Sequence, residues 1–570
     1  MAYFLKKTNK NKGIYLQIYL SYHDPKTQQS RHKSYRPVGY VHELEEQGID
    51  DPIAYFQKEV DELNKEYRGD RKKEKEQLIS DESPDKYLGY SLVKNLNDGL
   101  GIRPHLDLMQ RAYGLRYNAY DLLASLVYAR LSEPCSKSKT FHDVLPQLFE
   151  TVDVSLDQLY ASLDFFGAEY EKIIEAYNHA IDRQYPFQMD QSYFDGTNFY
   201  FEIDQEDDWR RKGPSKENRR EPILGMGLLL DARQVPMGMT LYPGNQSERP
   251  QQGKLIRSIQ KRMGFEGRTV RVADKGLNCA KNIHESLKEG DGYLYSKSVK
   301  GLPEEEIAWI LNDQDYREVY DREGKVLYAY KACVDTFTYR YQDESGKTQT
   351  FSIDEKRLVT FNPSLARKQR EEIRRQIEKA QGLEHSQAKR KSFGDQAKYV
   401  VFEGTDENGE LSSKNVAVSL NQALIQKNLQ LAGFNLLVTS ELKMEAQEIY
   451  QTYHNLWRIE ESFRMMKSEL EARPVFLQKP ERIHAHFLIC YLAVVLLRLL
   501  QIEILEDNYA YQDLIGFMRN FKVAQLAPRK FLNLAKSSQF INDLVDKTDL
   551  PFNQLYLNNT MVKKILNYRW

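Results

Sequence analysis

The chain has 570 residues, of which 41% are apolar and 29% are charged. This balance excludes a wholly disordered, collagenous or membrane-embedded chain, and the length predicts several domains or one large core with insertions. The 81 basic residues almost cancel the 82 acidic ones, for a formal net charge of −1. Near-neutrality argues against a uniformly basic nucleic-acid coat but leaves room for local basic patches.

The first 40 residues form a basic segment, with eight Lys and Arg against one acid, whereas residues 41–64 hold eight acids and one Lys. Apolar and polar residues alternate over Gly13–Leu20, which predicts a half-buried strand, and 31–40 reads as a second strand of a β-hairpin. Basic side chains interleaved with tyrosines suit contact with nucleic acid. The alternative is a hairpin that only increases solubility.

The rest of the chain predicts a mixed α/β fold. Residues 65–86 lack an apolar period and are interpreted as a linker, and 87–185 show helical patterns. Strand patterns follow at 191–202, 223–231, 236–242, 269–273, 292–298 and 434–439. A long amphipathic helix is predicted over 444–469. This order indicates a mixed sheet with a large insertion, about 300–430, near its end.

Compartment and redox chemistry follow from three further features. The four cysteines are scattered and form no CxxC, so neither a disulfide framework nor a structural zinc site is expected. The first residues lack the apolar stretch of a signal peptide. The apolar run 487–497 is too short to span a bilayer and predicts a buried core helix. We therefore expect a cytoplasmic protein with no membrane partner.

Two acidic residues lie at positions in or directly after predicted strands where a carboxylate is unusual. Asp195 lies inside an otherwise apolar and aromatic strand, and Asp274 directly follows the strand 269–273. The carboxyl ends of strands are where α/β sheets commonly place functional groups. Taken alone, either acid is more often a cap or a turn residue than a catalytic one.

A third acid lies on the long helix. At 100° per residue, Tyr453, Glu460 and Lys467 fall within about 60° of one another, and Leu456 shares their face. Such an edge could set a carboxylate against a metal ion and cations against phosphate. A solvated face with ordinary i,i+4 pairs fits the spacing as well.

These residues resemble the bacterial insertion-sequence DDE transposases, in the superfamily named for insertion sequence four. The resemblance covers about residues 90–500. An Asp-small-Thr segment corresponds to Asp195–Thr197, and an Asp-x-Gly segment to Asp274–Gly276. The signature Tyr-x2-Arg-x3-Glu-x6-Lys matches at Tyr453, Glu460 and Lys467.

One position departs from that signature. Leu456 stands where the family usually has Arg, and Arg458 and Arg464 are the candidates to replace the missing phosphate contact. Shorter stretches are also similar to the family: Arg130–Lys137, Gly213–Arg219, Pro243–Asn245, Arg473–Val475 and Glu481–His486. Each is loose by itself, but their order along the chain is specific.

The resemblance implies a ribonuclease-H-like catalytic core interrupted by a mostly β insertion. Glu460 follows Asp274 at a distance of 186 positions, which fits such an insertion. The predicted division is a basic DNA-binding arm (1–70), a helical DNA-binding connector (71–185), core (186–300), insertion (301–430), core with the Glu helix (431–504), and a helical C-terminal region that could dimerise (505–570).

The resemblance also implies the chemistry. Asp195, Asp274 and Glu460 would be catalytic and would hold two Mg²⁺ ions, for which Mn²⁺ could substitute. DNA phosphate would be contacted by Tyr453, Lys467 and Arg464. Lys216 and Arg219 could join them, or could form a plain exposed basic loop. Trp309 could stack on a base, although a lone Trp between apolar residues is more often core.

The expected function is that of a transposase. The protein would bind the terminal inverted repeats of its mobile element, cleave the DNA there, and join the 3′-ends to target DNA, as a homodimer on DNA. One alternative is a ribonuclease-H-like nuclease or resolvase that cuts without joining. Another is a non-catalytic DNA-binding protein derived from a transposase, which the presence of all three acids disfavours.

Overall fold

The computed structural model of this chain describes residues 2–24, 29–75, 85–150, 152–217, 220–381, 398–403, 417–527 and 529–570. They form two compact units, Met1–Ser83 and Pro84–Trp570.

The first unit is a three-stranded antiparallel sheet with two helices. Its elements are β1 (Ala2–Lys10), β2 (Gly13–Asp24), β3 (Gln29–Tyr40), α1 (Val41–Glu46) and α2 (Pro52–Lys75). The strand predicted over Gly13–Leu20 is confirmed, and Leu16 and Ile18 on it are buried. The hairpin gains a third strand because β1 pairs with β2 along its whole length.

The linker predicted from residue 65 is wrong as far as Lys75, because α2 continues through it. Residues 65–75 are mostly Lys, Glu and Arg, which favour helix without giving an apolar period. The Asn64 side chain holds this helix to β1 by bonds to the backbone N (2.8 Å) and O (2.9 Å) of Tyr3. Arg36 of the basic sheet pairs with Glu59 of the acidic helix at 2.6 Å.

The second unit combines helices with a large mixed sheet. Its helices are α3 (Ser91–Leu100), α4 (Arg103–Tyr113), α5 (Ala119–Ser132), α6 (Lys137–Lys139), α7 (Leu156–Ala168), α8 (Tyr170–Gln184), α9 (Arg249–Met263), α10 (Ala280–Lys288), α11 (Glu304–Leu311), α12 (Pro363–Gln381), α13 (Gln422–Gln430), α14 (Ala446–His454), α15 (Trp457–Arg464), α16 (Pro480–Leu499), α17 (Tyr511–Asn520), α18 (Gln539–Thr548) and α19 (Asn559–Leu566).

Its strands are β4 (Asp85–Tyr87), β5 (Gln191–Tyr200), β6 (Ile223–Leu230), β7 (Pro236–Pro243), β8 (Val270–Ala273), β9 (Gly292–Lys297), β10 (Arg317–Tyr320), β11 (Val326–Gln342), β12 (Thr348–Phe361), β13 (Val400–Glu403), β14 (Ala417–Leu420), β15 (Phe434–Thr439), β16 (Lys522–Ala527), β17 (Lys530–Asn533) and β18 (Tyr556–Asn558). Short 3₁₀ or π turns occupy Thr140–Val144, Leu145–Gln147, Val299–Gly301, Met465–Glu469 and Leu500–Ile504.

The main sheet has nine strands in the order β10-β11-β12-β15-β9-β8-β5-β6-β7. Strands β5, β6 and β7 are antiparallel neighbours, whereas β5, β8 and β9 run parallel. The predicted mixed α/β sheet is confirmed. The long hairpin of β11 and β12, which lies in the predicted insertion, joins this same sheet through β15.

Both faces of the central part of the sheet are covered. On β5, Tyr193 and Phe199 belong to one apolar core and Phe194 to the other. The first core includes α16, and the second includes α9. Strand β6 is buried at every residue, which explains its unbroken apolar sequence.

Helix α16, together with the turn that follows it, is longer than its apolar run predicts. Within the described residues it is the one helix long and apolar enough to cross a membrane, over Pro480–Ile504. The prediction that this segment is too short to span a bilayer is therefore wrong, because the helix continues beyond the apolar run 487–497 in both directions. The core-helix prediction is confirmed, since 89% of the most apolar stretch is buried in the fold.

The sequence predicts a helical C-terminal region over residues 505–570. The structure has helices there and also strands. Strands β16, β17 and β18 form a four-stranded sheet with β4, which lies more than 400 residues earlier in the chain. Short strands that pair with such a distant segment leave no local signal. The chain end is fixed on α3, where Trp570 donates from Nε1 to the carbonyl of Leu92 at 3.1 Å.

Candidate active site

Asp195 and Asp274 lie side by side on neighbouring parallel strands. Tyr193 of β5 is paired with Val272 of β8. Continuing this register by two residues sets Asp195 beside Asp274, at the point where β8 ends. Because β8 stops at Ala273 while β5 continues to Tyr200, Asp195 has no partner on β8, and both acids line one cavity.

The Asp274 carboxylate is held by hydroxyl donors. Ser296 Oγ on β9 donates to its Oδ1 at 2.8 Å, and the Tyr453 hydroxyl on α14 donates to the same atom at 2.9 Å. Burial raises the pKa of Asp274, but hydrogen bonds from the Lys275 backbone, Ser296 and Tyr453 outweigh it, so the pKa lies below its ordinary value. The side chain is therefore charged and fixed in orientation.

Asp195 has an excess of negative charge around it. Its pKa is raised to about 6, first by burial and then by the nearby carboxylates Glu248 and Asp274, against the opposing charge of Lys216. The Lys216 Nζ lies 3.5 Å from Asp195 Oδ1 and also donates to the carbonyl of Gly196. One lysine does not compensate three carboxylates, so this edge of the sheet attracts further cations.

Glu248 is a fourth carboxylate that the sequence prediction missed. Its Oε2 lies 3.2 Å from the Lys216 Nζ. A Cβ placed on Gly196 would come within 2.7 Å of Glu248 Oε2, and one on Gly276 within 3.0 Å of Glu248 Oε1. The glycines that follow Asp195 and Asp274 therefore leave room for this carboxylate. The Pro243–Asn245 turn was recognised in the sequence, but the acid three residues beyond it was not.

The helix that carries Glu460 is broken. The single helix predicted over 444–469 is wrong, since α14 ends at His454, α15 begins at Trp457, and Met465–Glu469 forms a π turn. The chain turns at these breaks. The residues from 444 to 469 therefore do not share the single helical face that a rotation of 100° per residue predicts. Even so, Tyr453, Glu460 and Lys467 all line one cavity with Asp195 and Asp274.

A buried ion pair fixes α15 to the core. Arg498 of α16 is fully buried and pairs with Glu461 at 2.6 Å. It also donates to the carbonyl of Arg458 at 3.1 Å. Because Glu461 adjoins Glu460, this pair sets the position of the helix turn that carries the candidate catalytic acid.

Several basic residues reach the same cavity. Lys467 pairs with Glu217 at 2.9 Å, and Arg473 pairs with the other oxygen of that acid. Burial lowers the pKa of Lys467, although Glu217 opposes the shift. Arg464 lines the cavity, whereas Arg458 pairs with Glu461 and Asp507 and does not. Of the two candidates to replace the cation missing at Leu456, Arg464 alone is placed to do so.

The cavity has a volume of about 620 Å³. Of the residues predicted from the sequence, it brings together Asp195, Lys216, Asp274, Tyr453, Glu460, Arg464 and Lys467. Arg219 lies outside the described residues. Glu217, Glu248 and Ser296 were not predicted, since their roles depend on contacts with segments far away in the chain.

Two tryptophans differ in their exposure. Trp309 is half-buried against the second apolar core, and Lys331 lies over its ring at 5.1 Å. This placement agrees with the core interpretation. Trp457, by contrast, is exposed and lines the cavity.

The acids fit divalent metal ions of the hard type. Within the described residues, no three His, Cys, Asp or Glu side chains converge closely enough to hold one ion by themselves. Mg²⁺ is usually bound by one or two carboxylates plus substrate phosphate and water, not by an all-protein cage. Oxygen-only donors and the excess negative charge at Asp195 suit that mode of binding.

Comparison with known proteins assigns the chain to a family. The family of transposase DDE domains matches residues 187–496. No curated protein matches the chain. Among solved structures, the piggyBac transposase synaptic complex with hairpin DNA resembles it with a TM-score of 0.34 and 9% identity, over 76% of this chain and 78% of that one. Likeness at this level adds nothing to the assignment. The family match covers more than half of the residues, and the chain therefore belongs to the family of transposase DDE domains.

Proposed function

We propose that the protein binds the terminal inverted repeats of its own mobile element, cleaves DNA at these ends, and joins the 3′-ends to target DNA. One observation carries the proposal. Asp195, Asp274 and Glu460, which come from two strands and a distant helix, line one cavity together with Lys216, Arg464 and Lys467. Carboxylates beside cations suit a reaction in which metal-bound phosphate is attacked in line.

The sheet order supports a ribonuclease-H-like core. Asp195 lies on the first of its strands, β5, and Asp274 follows the fourth, β8, as the resemblance implies. The proposed core is discontinuous, about 186–300 and 431–504. The domain division and the dimeric state remain predictions.

The acids would hold two Mg²⁺ ions, which supply activation of the attacking water or 3′-hydroxyl and stabilisation of the leaving oxygen. The protein's own groups orient the reaction. Ser296 and Tyr453 fix the Asp274 carboxylate. Lys467 and Arg464 offer positive charge to the phosphates next to the scissile bond. Because Lys467 is paired with Glu217, a phosphate must compete with that acid.

The test is incubation of the protein with Mg²⁺ and DNA that carries the element's ends. We expect cleaved 3′-ends and joined products from the wild-type protein. Asp195→Ala should bind the DNA but lose at least ~10³-fold in cleavage rate, since several kcal/mol of charge stabilisation are removed. Asp208→Ala, at a fully exposed acid, is the control.

Three outcomes would overturn the proposal. Full end cleavage by Asp195→Ala would show that the site is assigned wrongly. Cleavage by the wild-type protein without any joined product would favour the nuclease or resolvase. A protein that binds the ends and does neither would favour a non-catalytic DNA-binding role.

A further inference from the structure

A second, smaller cavity lies beside the catalytic one. It has a volume of about 170 Å³ and is formed where the segment after α5, the loop 471–477 and the start of α16 meet. Arg130, Lys137, Arg473 and His486 contribute its basic side chains. We call these four residues and the space between them the cation pocket. Arg473 lines the catalytic cavity too, so the two spaces adjoin.

Lys137 is buried without an ordinary partner for its charge. Only 5% of the residue is exposed, and its Nζ lies 3.5 Å from His486 Nδ1. The other ring nitrogen, Nε2, faces the carbonyl of Ala472 at 3.0 Å and must carry the proton, since that oxygen only accepts. Burial keeps the pKa of His486 well below its ordinary value, so the ring is neutral. A neutral, distant acceptor does not balance an ammonium group.

Arg130 adds a second buried cation. It is 4% exposed, and it donates to the carbonyls of Cys135 at 2.8 Å and Leu470 at 3.4 Å. Within the described part of the chain, neither Arg130 nor Lys137 forms an ion pair with a carboxylate. Burial, and after it the charge of Arg130, lowers the pKa of Lys137 to about 7. Two buried cations without a counterion are costly unless an anion completes the site.

The rim of the pocket points to the kind of anion. Phe476 lines the pocket and is 71% exposed, an unusual state for a large apolar ring. Aromatic rings in this state stack on nucleic-acid bases in proteins that bind single strands. The pocket is too small for a whole nucleotide but holds one phosphate, with an attached base resting outside on the ring.

We infer that the cation pocket binds one backbone phosphate of the DNA strand that extends from the catalytic cavity past Arg473, with the adjoining base against Phe476. This inference rests on the proposed function, because it takes DNA as the ligand. It extends that function by adding a phosphate subsite outside the carboxylate cavity, built by segments near residues 130, 473 and 486.

The test measures DNA binding without cleavage, in EDTA, for the full chain. Lys137→Met should weaken affinity for end DNA about tenfold and reduce the dependence of log affinity on log salt by about one unit. Lys139→Met is the matched control. Its amine is exposed, already pairs with Glu133 at 3.1 Å, and should change affinity less than twofold.

Two further measurements keep the result interpretable. Replacing an unpaired buried ammonium by an apolar side chain of similar length should not unfold the protein. If Lys137→Met nevertheless fails to fold, Phe476→Ser, at an exposed position, should still weaken DNA binding about fivefold or more. Inorganic phosphate should raise the thermal midpoint of the wild-type protein and not that of Lys137→Met.

The possible results separate the sources of phosphate. If Lys137→Met loses the response to inorganic phosphate but binds DNA like the wild type, the pocket takes a free phosphate and the inference is wrong. Unchanged DNA binding and unchanged phosphate response would also overturn it. Wild-type protein that binds no DNA would contradict the proposed function as well, whereas a failure of the Lys137 and Phe476 variants alone to weaken binding contradicts only this inference.

Discussion

The catalytic cavity and the cation pocket are neighbours with opposite charge imbalance. In the cavity, Asp195 is crowded by Glu248 and Asp274, and its pKa is raised to about 6 by burial and then by those acids, despite Lys216. In the pocket, Lys137 is crowded by Arg130, and its pKa is lowered to about 7 by burial first. Asp195 therefore lacks full compensation by positive charge, and Lys137 lacks compensation by negative charge.

The two sites differ from a site in which a buried ion is fully paired. Burial of an ion is costly in either sign, and a fold keeps such an ion only when a partner compensates it. Where the partner is another side chain, the ion is structural. Where it is missing, a ligand of opposite charge is the natural complement, metal ions for the cavity and phosphate for the pocket.

Arg498 gives the reference for a compensated ion and the largest expected effect. It is fully buried and paired with Glu461, so Glu461→Gln leaves a buried guanidinium without its carboxylate. We expect the free energy of unfolding to fall by about 3–5 kcal/mol, measured as a lower denaturant midpoint at constant slope. Lys547→Met removes an exposed pair with Glu506 and should cost less than about 1 kcal/mol. Equal losses from the two variants would contradict the comparison.

The role of Glu248 in the catalytic cavity is open to a direct test. It touches Lys216 rather than a reacting group in this structure, so we treat it as a positioning residue. Glu248→Gln should raise the Mg²⁺ concentration needed for half-maximal cleavage about 10- to 100-fold, because negative charge beside Asp195 is lost. Affinity for DNA in EDTA should stay the same.

Glu506→Gln, at an exposed acid, is the control for that measurement. A Glu248→Gln protein with wild-type Mg²⁺ dependence would show that this carboxylate only fills the space over Gly196 and Gly276.

Lys137 sharpens the description of the pocket through pH. Its pKa of about 7 in the folded protein lies below the ordinary 10.5, so between these values the unfolded chain binds more protons. Stability should therefore rise with pH from about 7 to 10.5, by at most about 1.4 kcal/mol per unit, and not change on this account below pH 7. Arg130, Cys135, His486 and Cys490 face it, and Glu471 and Arg473 are further charged groups that line the same pocket.

The measurement compares the denaturant midpoints of wild type and Lys137→Met at pH 7 and pH 9. The variant should lack the rise that the wild type shows. Lys139→Met, with its exposed amine, should keep it. A wild-type slope that survives in Lys137→Met would show that another group titrates over this range and would contradict a lowered pKa of Lys137.

The basic sheet of the first unit is expected to give the smallest effect. Lys10 lies 3.9 Å from the ring centre of Tyr15, on a surface that we expect to contact DNA. Lys10→Gln should weaken DNA affinity only a few-fold, by loss of one phosphate contact, and should lower the salt dependence. Lys58→Gln on the acidic helix should change neither quantity. Equal losses of DNA affinity in Lys10→Gln and Lys58→Gln would show that the overall charge of the protein, and not a contact at Lys10, determines the effect.

The sequence predicted the strands better than the site. Alternating or continuous apolar residues reveal strands such as β5 and β8, and an acid inside or just after them is visible in the same pattern. The break between α14 and α15 was not predictable, because the apolar spacing on either side of residues 455–456 still looks helical. Tertiary packing of α15 against Arg498 decides the turn there.

Contacts between distant segments account for the other differences. Glu248 meets Lys216 across 32 residues, and Lys137 meets His486 across 349. No periodicity encodes such pairs. The motif segments Arg130–Lys137 and Arg473–Val475 were recognised separately, but only the fold shows that they build one pocket.

Asp195 is proposed to contact metal during DNA cleavage, and a change of metal preference on substitution would reveal that contact. Cleavage of end DNA by Asp195→Cys should be compared in Mg²⁺ and in Mn²⁺. A thiolate is a poor ligand for Mg²⁺ and a better one for the softer Mn²⁺. We predict that the wild type cleaves in both, that the variant is inactive in Mg²⁺, and that Mn²⁺ restores part of its activity. Wild-type cleavage by the variant in Mg²⁺ would contradict the assignment.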